Sequence, residues 1–251
     1  MLFRSIEDAV PLPRKQEARD LTFPLFAGDG PANVETMVRI NPLSTPDGLK
    51  DILALRGCAA PPRALMLAKP GSAAEIRLYD ELLQGSCADI RFHVIIESTD
   101  GLANVMEIAD ASSRIDSLLF GAVDMSADLR AAKTWETLLY ARSRVVHAAA
   151  RYDLDLLDVP YLNLDDQAGL EEEARLSDAL GFTGKASIHP KQIPIINEVF
   201  SPTPELVDRA RRILAEFEKD ETGLVVVDGE LIERPVIRSM LRVLAIADYL
   251  E

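Results

Sequence analysis

The sequence predicts an α/β protein whose parallel sheet is closed into a barrel of the (β/α)8 kind or left open and doubly wound. Two observations carry this expectation. Short apolar runs recur through the first 200 residues, each finishing on a polar residue, and these ends lie 27 to 34 residues apart, the length of one strand-helix-strand unit. Between the runs, the apolar residues switch to helical spacing.

The runs end at Glu7 in RSIEDAV, Arg39 in TMVRIN, Lys69 in ALMLAK, Glu97 in HVIIE, Asp124 in LLFGAVD, Asp158 in LDLLD and His189 in GKASIH. Runs without alternation suit strands buried on both faces. Thr45 before Pro46 reads as an N-cap with proline at the first helical position, and Ser72 with Glu75 as a capping box. Ile76, Tyr79 and Leu83 then fall on one helical face. A long helix expected over about 131–152 brings Leu138, Arg142, Val145 and Ala149 to one side, and another runs from about Asp166 to Leu180, stopped by Gly181. Seven ends leave an eight-stranded barrel one strand short, so either a strand is missing at the N-terminus or the sheet is not a complete barrel. After Phe200 the rhythm changes to a charged helix, a hairpin turning at Asp228-Gly229 and a last helix. The expected division is a barrel over 1–200 and an extension over 201–251.

Composition narrows the function. A chain of 251 residues with 48% hydrophobic content can bury one large core. Its formal charge of -14 and pI near 4.7 argue against nucleic acid as a partner, since no clustered basic surface is present to release counterions. No apolar stretch approaches the roughly 20 residues of a membrane span. Glu7 and Asp8 interrupt the place where a signal peptide would be apolar, so a cytoplasmic protein is expected. Cys58 and Cys87 stand apart without a CxxC pair, implying neither a disulfide framework nor a zinc knuckle.

Glu97 and Asp124 would stand at the ends of adjacent strands and could share one cation. With three histidines and no HxH or HExxH pair, hard oxygen ligands favour Mg²⁺ over zinc. The plainer role for each acid is to cap the helix that follows. Arg39 could face a developing oxyanion or a substrate carboxylate, or pair with Glu7 or Asp8. Lys69 could bind an anionic group, form a Schiff base or simply join an ion pair. His189, followed by Pro190, suits a hydrogen-bonded anchor for the turn, and Arg142 and Arg144 suit solvated or paired positions.

GFTGKASIHPKQIPIINEVFSPTPE closely resembles the hallmark segment of the citrate lyase β-subunit-like branch of the HpcH/HpaI aldolase family, which includes malyl-CoA and citramalyl-CoA lyases. LLYARSRVV, VRINPLSTPDG, VIIES, FGAVDMSADL and IEDAV follow the family's order and spacing. The resemblance implies a TIM barrel with a C-terminal extension reaching a neighbouring subunit in a trimer or a multiple of it. It implies Mg²⁺ on Glu97 and Asp124, with Arg39, Glu7 and Asp8 in the catalytic machinery. Arg39, Lys69 and Asn41 would contact substrate, and Glu233, in the tail, would be linked to proton transfer from the adjacent subunit. The implied reaction is cleavage of citramalyl-CoA, malyl-CoA or citryl-CoA to acetyl-CoA and a 2-oxo acid. Two alternatives are a citrate lyase β-subunit acting on an acyl carrier protein thioester, and a shortened paralogue with a binding or regulatory role. The chain departs from the family pattern in starting after the usual first strand and helix, in Ser5, in Ala68 before Lys69, and in Glu233 where the family usually has Asp.

Overall fold

The computed structural model describes residues 2–26, 34–219 and 224–250. Seven strands form one sheet: β1 (Leu2–Ser5), β2 (Thr36–Ile40), β3 (Ala64–Leu67), β4 (Arg91–Ile96), β5 (Ile115–Phe120), β6 (Asp155–Asp158) and β7 (Gly184–Lys185). They lie in sequence order, and every neighbouring pair is parallel. Helices return the chain between them, so all strand ends fall on the same side. Among the described residues no ladder joins β7 to β1.

The chain divides into two compact units, 1–162 with 176–188, and 163–175 with 189–251. The break expected at 200–201 lies inside the second unit. That unit holds the helices Pro204–Phe217 and Arg234–Leu250 and a hairpin of β8 (Val225–Val227) and β9 (Glu230–Ile232). Asp228 and Gly229, at φ 52° and 82°, make the turn, a conformation that Asp tolerates and Gly adopts freely. Ile213, Val227, Ile232 and Ile237 form its core.

Alternation along the strands sorts one face of the first unit's sheet into levels. Met37, Ala64, Met66, Ile95 and Leu119 are one buried apolar cluster with Leu157 packed against it. Two residues further on lie Arg39, Glu97 and Gly121, and two residues earlier Glu35, His93 and Ser117. Layering of this kind is how a barrel interior is filled.

The helix starts follow the caps. Thr45 accepts from Gly48 N ahead of the helix Pro46–Arg56, and Ser72 from Glu75 N ahead of Ala73–Leu82. The expected box closes differently, because Glu75 Oε2 accepts from Gly71 N at 3.2 Å. The long helix begins at Trp135 rather than near 131, since Thr134 and Thr137 form the reciprocal cap there.

Candidate active site

Five strand ends converge at the C-terminal side of the sheet. Lys69 is the hub: its Nζ lies 2.6 Å from Asp8 Oδ2, 3.4 Å from Glu7 Oε1 and 3.8 Å from Asp124 Oδ1. It reaches them from a left-handed backbone, φ 54°, which is uncommon for a residue with a Cβ and marks a position held by its surroundings. Partial burial opposes its charge, but the carboxylates of Asp8, Glu7 and Asp124 outweigh that and hold the ammonium above its ordinary pKa. The hydrogen bond from Lys69 in turn holds Asp8 below the usual carboxylate range, against a smaller effect of burial.

Arg39, near the end of β2, donates from Nε to Ser5 Oγ at 3.0 Å and places Nη2 3.4 Å from Glu7 Oε2. Ser5 also accepts from Glu7 N at 3.3 Å, so one hydroxyl links the two charged residues. Glu7 is 2% exposed, and its Oε1 makes no hydrogen bond. Lys69 Nζ, 3.4 Å away, balances that oxygen by charge without a hydrogen bond.

Glu97 follows β4 directly and is buried, whereas Asp124, in the first turn of the helix Ala122–Asp128, is half exposed. Burial first, then the charges of Asp124 and Glu7, push the Glu97 carboxyl up to about 8, with Lys69 and Arg39 acting the other way. Two carboxyl groups that repel across a buried site are stabilised by a shared cation. These hard oxygen donors, with no histidine among them, fit Mg²⁺. Gly121 fixes the pair: its N–H donates to Ile96 O at 3.0 Å, and a Cβ on it would meet Glu97 Oε2 at 2.7 Å. Sequence reasoning did not single out Gly121, for which the Gly before AVD in FGAVD was the available signal, and it met Ser5 only as a departure from the family pattern.

Asn41 and Asp158 are consumed by packing within the first unit, and His189 and Glu233 belong to the second. Asn41 is buried, with both ends of its amide committed: Oδ1 accepts from Lys15 Nζ at 2.7 Å, and Nδ2 donates to Ile6 O at 3.0 Å and Asp51 Oδ2 at 2.7 Å. It braces β1 against β2 and has no amide group left for substrate. Asp158, another strand end, is wholly buried and bound to Lys185 Nζ (2.9 Å), Arg142 Nε (3.1 Å) and Ser177 Oγ (2.7 Å). Burial opposes its charge, but Lys185 and Arg142 hold its carboxyl below the usual range. Arg142 also stacks between Trp135 and Phe120. His189 caps the turn Pro190–Gln192 by accepting from Lys191 N, the anchoring role expected of it. Glu233, in the second unit, is exposed, and its carbonyl accepts from Val236 and Ile237 at the start of the last helix.

Comparison with known proteins agrees with the sheet. The citrate lyase subunit beta of Leuconostoc mesenteroides subsp. cremoris is 31% identical over 97% of this chain and 84% of that protein. The mitochondrial citramalyl-CoA lyase of Homo sapiens is 30% identical over 96% of this chain and 76% of its own length. The crystal structure of protein CitE from Mycobacterium tuberculosis, in complex with magnesium, acetoacetate and coenzyme A, is 30% identical. It covers 98% of this chain and 89% of that one with a TM-score of 0.78. The HpcH/HpaI aldolase/citrate lyase family profile matches residues 2–190, and the chain belongs to that family.

Proposed function

We propose that the protein is a Mg²⁺-dependent carbon-carbon lyase that cleaves a hydroxyacyl-CoA thioester, citramalyl-CoA, malyl-CoA or citryl-CoA, to acetyl-CoA and a 2-oxo acid. The carrying observation is the Glu97–Asp124 pair, in which burial first and the neighbouring Asp124 charge second push the Glu97 carboxyl up to about 8. When bound there, Mg²⁺ supplies the Lewis acidity that lowers the cost of an alkoxide on the substrate hydroxyl. Arg39, steadied by Ser5 and Glu7, faces the substrate carboxylate or the enolate oxygen with a planar pair of donors. Lys69, clamped by Asp8 and Glu7, contributes fixed positive charge beside the acids. The substrate hydroxyl gives up its proton, and the bond to the thioester α-carbon breaks with its electron pair passing to that carbon. The resulting enolate takes a proton to become acetyl-CoA, and the 2-oxo acid remains. Glu233 serves this proton transfer from a neighbouring subunit of a trimer or a multiple of it.

In this reading the seven strands are staves of a TIM-type barrel, with room for an eighth between β7 and β1, and the C-terminal helix-hairpin-helix is the segment that reaches the neighbour. The site is placed in the cytoplasm, where acyl-CoA substrates are available. Likeness to a citrate lyase subunit beta supports a second reading, in which the thioester is carried on an acyl carrier protein. A panel of the three CoA thioesters, with Mg²⁺ and with EDTA, tests the first. Release of acetyl-CoA that EDTA abolishes is the expected result, and no turnover of any thioester counts against it. Activity that appears only with the carrier protein favours the second.

A further inference from the structure

At the other end of the same sheet face, below the apolar cluster, lies a group of ligating side chains that the proposed chemistry does not use. Glu35 immediately precedes β2, His93 lies within β4 and Asp116 within β5. Each brings one ligand atom to within 4.8 Å of the other two. His93 is 3% exposed, and its Nδ1 lies 2.7 Å from Ser117 Oγ. Its Nε2 lies 3.0 Å from Glu35 Oε2, yet this buried nitrogen makes no hydrogen bond.

Neither tautomer satisfies the ring. With the proton on Nδ1 and donated to Ser117, the Nε2 lone pair confronts a carboxylate oxygen at 3.0 Å, which is repulsive. With the proton on Nε2, the N–H does not line up with Glu35. Burial lowers the affinity of His93 for a second proton, opposing the pull of Glu35 and Asp116. A neutral imidazole aimed at two carboxylates is the donor set that a divalent cation completes. The outer contacts suit that role as well. Ser117 sets the ring orientation, and Arg91 grips both oxygens of Asp116, Nε donating to Oδ2 at 2.9 Å and Nη2 to Oδ1, which fixes the carboxylate from behind and leaves its remaining lone pairs for the ion.

We propose that Glu35, His93 and Asp116 form a second divalent-cation site, for a borderline transition metal such as Zn²⁺ or Co²⁺. The ring nitrogen selects against Mg²⁺, which prefers oxygen donors and retains its waters, so the two ends of the sheet take different ions. Three protein ligands leave a fourth position for water, and Glu35, which is partly exposed, gives the ion a way in. The bound ion ties β2 to β4 and β5, so its role is to hold the strand starts together.

The test uses the full chain, stripped with a chelator and titrated with Zn²⁺ and Co²⁺ in saturating Mg²⁺. Expected are one bound equivalent, a higher Tm and, for Co²⁺, the visible absorption of a four-coordinate N/O site. His93→Gln and Glu35→Gln each abolish all three, while Asp124→Asn retains them. Glu35→Gln changes a partly exposed residue and keeps the test decisive if His93→Gln folds poorly. The proposal is overturned if the wild-type chain binds neither ion, if binding survives Glu35→Gln in a folded protein, or if Asp124→Asn removes it. None of these readouts depends on lyase activity, so this site and the proposed reaction fail separately.

Discussion

Gly121 and Glu97 are packed so closely that the bare α-carbon of one forms the wall for the carboxyl of the other; a Cβ at 121 would come 2.7 Å from Glu97 Oε2. The same glycine begins the helix that carries Asp124, so one residue sets the spacing of the acid pair. Gly121→Ala is therefore expected to push Glu97 aside while leaving the strands intact. Mg²⁺-dependent turnover should fall at least about tenfold, as displacement of a reacting geometry by even a fraction of an ångström does. Circular dichroism should be unchanged, and full activity in the variant would show that Glu97 does not need this wall.

Proton and metal compete for Glu97. Its folded carboxyl titrates near 8, against an ordinary value of 4.5, so the metal-free folded state holds more protons than the unfolded chain between those values. Stability of the metal-free protein should accordingly decline as pH rises from about 4.5 to about 8. Apparent Mg²⁺ affinity should rise over the same interval. Calorimetric titration across that range checks the slope. In Glu97→Gln both trends should flatten, and a slope that persisted would assign them to another group.

Arg39 is held by Ser5 through Nε and by Glu7 through Nη2. A lysine there keeps the charge and loses the paired donors, so Arg39→Lys should lower kcat/KM by roughly a hundredfold or more, the scale of losing one oriented donor to a developing oxyanion. Ser5→Ala should give a smaller loss, because the Nε contact only orients the guanidinium. Steady-state kinetics on the active thioester compares them, and equal effects would mean that orientation carries the whole contribution.

Asp158 is a buried charge shared by two buried cations. Replacing it with Ala leaves Lys185 and Arg142 buried without their common counter-charge. Removing one partner of such a buried group costs on the order of 3–5 kcal/mol. Urea unfolding of Asp158→Ala should register a loss of that order, with metal binding at Glu97 and Asp124 retained in the protein that remains folded.

The strand period placed Glu7, Arg39, Lys69, Glu97 and Asp124 on one side of the sheet because parallel strands joined by helices end on the same side whatever their sequences. What such a period cannot carry is which strand ends face outward and which are consumed by packing. Asp158 reads like the other acids until Lys185, 27 residues away, is seen to reach it. Asn41 reads like a substrate contact until Asp51 and Lys15 are placed around it. His93 sits inside FHVII, where both strand faces are buried and alternation leaves no trace, so the polar level formed with Ser117 is visible only in three dimensions. Ser5 passes for a lost acid in sequence, and its hydroxyl turns out to bridge Arg39 and the backbone of Glu7.

Met37, Met66, Ile95 and Leu119 separate the carboxylates at the strand ends from the imidazole at the strand starts. Packed hydrocarbon offers no chain of donors and acceptors, so it does not relay protons. Proton exchange at one end therefore does not pass to the other through this core, whereas charge is felt further through hydrocarbon than through water, so the two ends stay coupled by field alone.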